Sequence, residues 1–214
     1  MEQAAIIEKT RDFVRKTLAN AEGGHDWWHI HRVWLNAKRI AEGENADMLV
    51  VELAALLHDI ADSKFNNGDE EIGPITAGKF LHGLNLDEAI IIHVQQIIRN
   101  ISFKAGFDNK TFDSKELEIV QDADRLDAIG AIGIARAFSY GGFKGREIYN
   151  PEVAPNMHMT KAEYKSSVAP SINHFYEKLL LLKDKMNTAT GKEMAEQRHR
   201  FMEIYLEQFF SECN

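Results

Sequence analysis

The sequence predicts an all-α fold. Apolar residues recur at spacings of three and four in segment after segment, and no run alternates as a half-buried strand would. Residues suited to helix N-caps, Asp26 and Asp47, stand ahead of periodic stretches, and Asp87 and Ser114 begin two more.

Ile6, Ile7, Phe13, Val14 and Leu18 make the first twenty residues an amphipathic helix, broken at Glu22-Gly23-Gly24. Asp26 caps the next helix, whose apolar face is Ile30, Val33, Trp34, Ala37, Ile40 and Ala41, with His29 at its edge. Asp47 caps a third helix through Leu49-Val50-Val51-Glu52-Leu53-Ala54-Ala55-Leu56-Leu57, apolar on nearly every side. Residues 62–73 are a polar loop with a turn signal at Asn66-Asn67-Gly68, and Pro74 suits the first turn of the helix that follows. Asp87 starts a helix with Ile90, Ile91, Val94, Ile97 and Ile98 on one side and His93 near its margin. Ser114 opens another, through Leu117, Val120, Ala123 and Ala128, read here as continuing past Gly130 and Gly133 to about Tyr140. Between 141 and 168 the pattern lapses, as in a lid or binding loop. It returns at Ile172, Phe175, Leu179, Leu182 and Met186, and a last helix carries Met194, Phe201, Met202, Tyr205 and Phe209. With no repeat or linker to divide it, the chain is read as one domain over 1–214: a core of about 20–140, the loop 141–168 and closing helices over 169–212.

The 214 residues suffice for a substantial core, and 44% hydrophobic with 27% charged content is ordinary for a globular protein. A net charge of -8 argues against a nucleic-acid or anionic-membrane surface, though not against a local pocket for a small anion. The single cysteine, Cys213, excludes an intrachain disulfide framework and a cysteine-rich zinc site. No stretch reaches the roughly 18 apolar residues of a membrane span, and the N-terminus does not read as a signal peptide. A cytoplasmic location is therefore expected, and a homo-oligomer is compatible with the sequence.

The third helix ends in His58-Asp59, with Asp62 three residues on. Burying ionisable groups at the end of so apolar a helix requires compensation. Neighbouring helix residues diverge by about 100°, so these two side chains reach one ion only from a helix end, which is where they stand. Asp124, four residues after Val120, falls on the buried stripe of its helix, while Asp122 reads as solvated and Asp127 as a structural hydrogen-bonder. His29, His58, Asp59 and Asp124 together form a set of two imidazoles and two carboxylates. Such a set suits one divalent ion of manganese, iron, cobalt, nickel or magnesium, with open positions for water and substrate. An ion beside phosphate oxygens polarises phosphorus and activates water. Asp62 is placed to orient or deprotonate that water. Arg32, Lys64, Lys104 and Arg125 are candidates for phosphate oxygens. Taken singly, His29, His93 and His174 each read more readily as satisfied core or surface residues. Trp27, Trp28 and Trp34 read as packing rather than a base-stacking platform.

The combination resembles the HD-domain superfamily of metal-dependent phosphohydrolases, with signature H…HD…D. The resemblance is carried by His29 within Asp26-Trp27-Trp28-His29-Ile30-His31-Arg32-Val33, by His58-Asp59, and by Asp124 within Asp122-Ala123-Asp124-Arg125-Leu126-Asp127. It covers about residues 20–140. His29, rather than His25 or His31, is the first ligand because it stands three residues before Arg32-Val33, as the family pattern has it. The resemblance implies an all-α bundle around a metal, and hydrolysis of a phosphomonoester, phosphodiester or nucleotide pyrophosphate bond. The small bacterial members act typically on nucleotides, some releasing pyrophosphate from nucleoside triphosphates. Without the extra paired histidines of dinuclear members, unless His82 and His93 supply them, one ion is expected. A nucleotide sensor without turnover, and a di-iron oxygen-activating centre, are the alternatives from other classes.

Overall fold

The computed structural model describes residues 2–19, 26–61, 69, 71–101, 112–159, 163 and 167–213, and among them every regular element is helical. The helices are α1 (Gln3–Thr17), α2 (Trp27–Ala41), α3 (Met48–Leu57), α4 (Ile72–Gly83), α5 (Glu88–Asn100), α6 (Lys115–Asp127), α7 (Gly130–Phe143), α8 (Asn173–Glu177) and α9 (Ala189–Glu212). The chain divides into two compact units, Met1–Asp124 and Arg125–Asn214.

In the first unit α3 is the central element, with α1, α2 and α5 packed on it and α4 on α5. Leu53 through Leu57 are wholly shielded from solvent, which accounts for a helix apolar on all sides. The expected caps are in place. Asp26 Oδ1 accepts the His29 N–H at 2.9 Å, Asp47 Oδ1 accepts those of Leu49 at 2.9 Å and Val50 at 3.3 Å, and Asp87 Oδ1 accepts that of Ala89 at 2.8 Å. Ser114 Oγ accepts the Leu117 N–H at 3.1 Å. The cap on α2 sets the start of the helix that presents His29, and the cap on α3 sets the start of the one that ends at His58. Gln95 crosses the bare face of Gly78, where a Cβ would meet its Nε2 at 2.2 Å, and donates to the Pro74 carbonyl at 3.0 Å. Across the unit, Asn36 Nδ2 donates to the Ala123 carbonyl at 3.5 Å. Asn36 lies two turns beyond His29 on α2, and Ala123 directly precedes Asp124 on α6, so this buried amide links the helices that carry His29 and Asp124.

In the second unit α7 packs on α9. Phe138, Phe175, Tyr205 and Phe209 form its aromatic centre, with Phe175 and Tyr205 stacked at 5.9 Å between centroids. Two expectations are corrected. The helix from Ser114 does not run on to Tyr140. It ends at Asp127, and the chain turns through Ala128 and Ile129 before Gly130, whose φ of 72° only glycine adopts at low cost. Gly133 permits that turn, since a Cβ there would stand 2.2 Å from the Ala128 carbonyl oxygen. The periodic stretch from Ile172 to Met186 is not one helix but the short α8 followed by 3₁₀ turns at Leu179–Leu181 and Lys183–Lys185. Lys178, at φ −147° and ψ −56°, leaves the helical basin between them.

Candidate metal centre

His29 occupies the first turn of α2, at N3, and its backbone N–H is the one that Asp26 caps. His58 is the C-cap of α3, and Asp59 follows in the turn. The doublet thus sits where the helix relaxes, and its two side chains reach the same point. Suitable ligand atoms of His29, His58 and Asp59 all lie within 4.8 Å of one another. Asp59 Oδ2 is 3.6 Å from His29 Nε2 and 3.6 Å from His58 Nε2, and Asp124 Oδ1 is 3.6 Å from His29 Nε2. The imidazoles meet edge to face, with centroids 5.4 Å apart. All four groups belong to the first unit.

These separations fit a shared ion. Two donors each about 2.1 Å from one ion, at about 110–120° to each other, stand about 3.5 Å apart. The protonation pattern fits as well. His58 Nδ1 lies 2.9 Å from the Ala55 carbonyl, which can only accept, so Nδ1 carries the proton. Nε2 then presents a lone pair, and this buried atom has no hydrogen-bond partner. A backbone carbonyl that fixes the tautomer of a ligating histidine is a recurring feature of metal sites. The set is graded in exposure: the histidine side chains are 2% exposed, Asp59 23% and Asp124 44%.

That gradient corrects the reading of α6. Asp124 is not a buried carboxylate, and Asp122 is not solvated but 0% exposed. The buried stripe is centred on Ile119, Ala123 and Leu126, which places the two aspartates on its opposite margins. Asp127 is the structural hydrogen-bonder expected, buried and paired with Arg136 Nη1 at 2.7 Å. Trp28 is 59% exposed, so the packing reading holds for Trp34, at 8%, but not for Trp28.

Of the residues assigned to substrate, Arg32 is half-buried on α2, and Arg125 donates from Nη1 to the Lys185 carbonyl at 2.7 Å. Asp62, Lys64 and Lys104 lie outside the described residues. Neither additional histidine joins the cluster. His82 pairs with Glu88 at 3.6 Å, and His93 Nε2 lies 3.0 Å from Ser114 Oγ and 3.5 Å from Glu116 Oε2. Glu116 was not anticipated: its other oxygen accepts the Asp47 N–H at 2.9 Å, tying α6 to the start of α3. On the opposite face of α2, the imidazole of His31 is held below its usual pKa by burial and by the charges of Arg11, Arg32 and Arg15. No helix of the described residues is long and apolar enough to cross a membrane.

Residues 27–129 match the HD domain family, a span that contains all four converging side chains. The chain is 40% identical to the Bacillus subtilis protein YpgQ over 211 residues, covering 97% of this chain and 94% of YpgQ. A crystal structure of an HD-superfamily hydrolase from Bacillus thuringiensis superposes with a TM-score of 0.80 at 45% identity, over 100% of this chain and 99% of that one. The crystal structure of YpgQ in complex with ADP superposes at 0.78 with 36% identity, over 99% of this chain and 97% of that one. With the histidine-aspartate doublet at the helix end, the second histidine beside it and full-length relatives of this kind, the chain belongs to the HD domain family and is an HD-superfamily hydrolase.

Proposed function

We propose that this hydrolase is a divalent-metal-dependent, cytoplasmic phosphohydrolase whose substrate is a nucleotide. Pyrophosphate release from a nucleoside triphosphate is the leading form of the reaction, and cleavage of a nucleotide phosphomonoester or phosphodiester is the alternative. The observation that carries the metal requirement is His58 Nε2, a buried lone pair fixed in direction by the Ala55 carbonyl and aimed where Asp59 and His29 converge. The nucleotide is supported by the ADP held by YpgQ.

In this reading His29, His58, Asp59 and Asp124 hold one ion. A divalent ion there would supply Lewis-acid polarisation of a phosphoryl oxygen and acidify a water molecule. The protein's own share is positional. His29 and His58 form the dry wall of the site, and the more exposed Asp59 and Asp124 leave its other side open to a phosphate. Asp62, three residues beyond Asp59 in sequence, takes the proton of the attacking water as its oxygen bonds to phosphorus and the bond to the leaving group breaks. Arg32, Lys64, Lys104 and Arg125 are assigned to the phosphate oxygens, which guanidinium and ammonium groups bind through charge-assisted hydrogen bonds.

The test is a screen of nucleoside mono-, di- and triphosphates against manganese, nickel, cobalt, iron and magnesium, reading phosphate and pyrophosphate separately. Metal-dependent product formation that collapses in His58→Ala and falls steeply in Asp62→Asn is expected. A His58→Ala variant as fast as the parent refutes the mechanism. Saturable nucleotide binding with no product under any metal makes the protein a sensor.

A further inference from the structure

The face of α2 turned away from the metal cluster carries a second constellation. At about 100° per residue, Trp27, His31, Trp34 and Lys38 all lie within about 40° of the point on α2 opposite His29. From α1, the Arg15 guanidinium lies 5.4 Å from the Trp27 ring centroid and that of Arg11 5.2 Å from Trp34. Lys38 Nζ stands 4.9 Å from the same Trp34 ring.

The charges here are not balanced. Lys38 pairs with Glu52 at 3.6 Å, and the same carboxylate oxygen accepts the Trp34 indole N–H at 2.8 Å. Arg11 and Arg15 form no ion pair among the described residues, and the buried Nε of Arg11 has no hydrogen-bond partner. Stacking on an indole attracts a guanidinium through the ring face but leaves its in-plane N–H groups unused. A buried donor left unmade, as at Arg11 Nε, is costly, and with the exposed Arg15 one helical turn on it offers two guanidinium forks to an oxyanion. Trp28, exposed beside His31 with centroids 5.8 Å apart, adds an open ring at its rim.

We propose that the α1–α2 face is a binding site for a phosphate-bearing anion, separate from the candidate metal centre, with Arg11 and Arg15 as its cations. The site stands whether or not the proposed reaction does, because it shares no residue with that reaction. Occupancy would tie α1 to the helix that presents His29.

Of the chain's three tryptophans, Trp27 and Trp34 lie on this face and Trp28 at its rim, so intrinsic fluorescence reports on it. The full-length protein is titrated with inorganic phosphate and with adenosine monophosphate at constant ionic strength. A saturable change in emission is expected, retained in His58→Ala and weakened about tenfold or more in Arg11→Gln/Arg15→Gln. Tighter binding of the nucleotide than of phosphate assigns Trp28 a stacking role, and equal binding identifies free phosphate as the ligand class. If the double variant fails to fold, Arg15→Gln, at an exposed position, is used alone with an expected loss of severalfold. The proposal is overturned if emission does not saturate with either probe. It is equally overturned if the response survives arginine removal or disappears in His58→Ala, which would return the ligand to the metal centre or leave the arginines as packing alone.

Discussion

Removing His58 separates a metal site from a buried histidine that merely packs. In the parent, an ion at 100 times its dissociation constant stabilises the fold by about 2.7 kcal/mol. For a chain of this size 1 kcal/mol corresponds to about 2–4 °C in Tm, so saturating metal should raise Tm by about 5–11 °C. His58→Ala deletes a nitrogen that stands 3.6 Å from Asp59 Oδ2 and has its tautomer fixed by the Ala55 carbonyl at 2.9 Å. Even outer-shell changes cost about 10–100-fold in metal affinity, so loss of a ligand should cost at least about 100-fold. At the same metal concentration the variant then retains about 0.4 kcal/mol, or about 1 °C. The assay is a thermal melt of parent and variant, apo and with each divalent metal. Apo Tm values need not agree, because the deletion leaves a cavity and also removes a buried atom without a partner. The metal-induced increment is the diagnostic quantity. An increment in His58→Ala equal to the parent's, or none in the parent with any of the metals, refutes the ligand role.

Gly133→Ala should destabilise the protein by about 3 kcal/mol or more in urea unfolding, because its Cβ meets backbone atoms of Ala128 at 2.2 and 2.5 Å that cannot step aside; a loss below about 1 kcal/mol would show that the turn is soft. Glu71→Gln breaks a bidentate pair to Arg99, at 2.6 and 2.7 Å, that holds the Glu71 carboxyl below its usual pKa. Because both partners are exposed, the cost should stay below about 1 kcal/mol and shrink in high salt. His174 is lowered to about 4 by burial and by the charges of Lys178 and Arg146. The unfolded chain takes up that proton as pH falls through about 6.5, whereas the folded chain does so only near 4. Stability is therefore lost progressively between those values, by up to roughly 3 kcal/mol. Unfolding free energies at pH 7.5 and 4.5 should converge in His174→Gln, and an unchanged pH slope would contradict the assignment.

The elements legible from sequence were those set by local chemistry. Asp26, Asp47 and Asp87 announced helix starts because an N-cap needs only its own side chain and the next turn. The apolar run before His58 announced the central helix because burial on all sides leaves no polar face to hide. The break at Ala128-Ile129 was not legible. Gly130 and Gly133 are tolerated inside helices, and only the close approach of the Ala128 carbonyl shows that they are required at a turn. The stretch from Ile172 to Met186 misled because spacings of three and four serve a 3₁₀ turn as well as an α-helix. At the site, His29 was singled out by the family pattern three residues before Arg32-Val33 and not by its own position, whereas the doublet was readable from its position at a helix end. The environment of Asp124 was not, since Leu117 and Val120 mark one edge of a buried face whose centre lies at Ile119, Ala123 and Leu126.

That misplacement bears on how the site would work. A carboxylate buried on the stripe would close the coordination sphere, as in a structural site, whereas a catalytic site keeps a position open. With the histidine side chains at 2% exposure and Asp124 at 44%, the four groups form a wall on one side and an open rim on the other. The buried carboxylate of this helix is instead Asp122, one residue the other side of the Ala123 carbonyl that accepts from Asn36. Through this hydrogen bond Asn36 is placed to help set which margin of α6 faces His29. Asn36→Leu would remove the donor while preserving volume. The expected outcome is a metal affinity lowered by about 10–100-fold, the range of outer-shell effects, with helix content unchanged by circular dichroism. An affinity equal to the parent's would mean that α6 finds its register from apolar packing alone, and that the amide only satisfies a carbonyl.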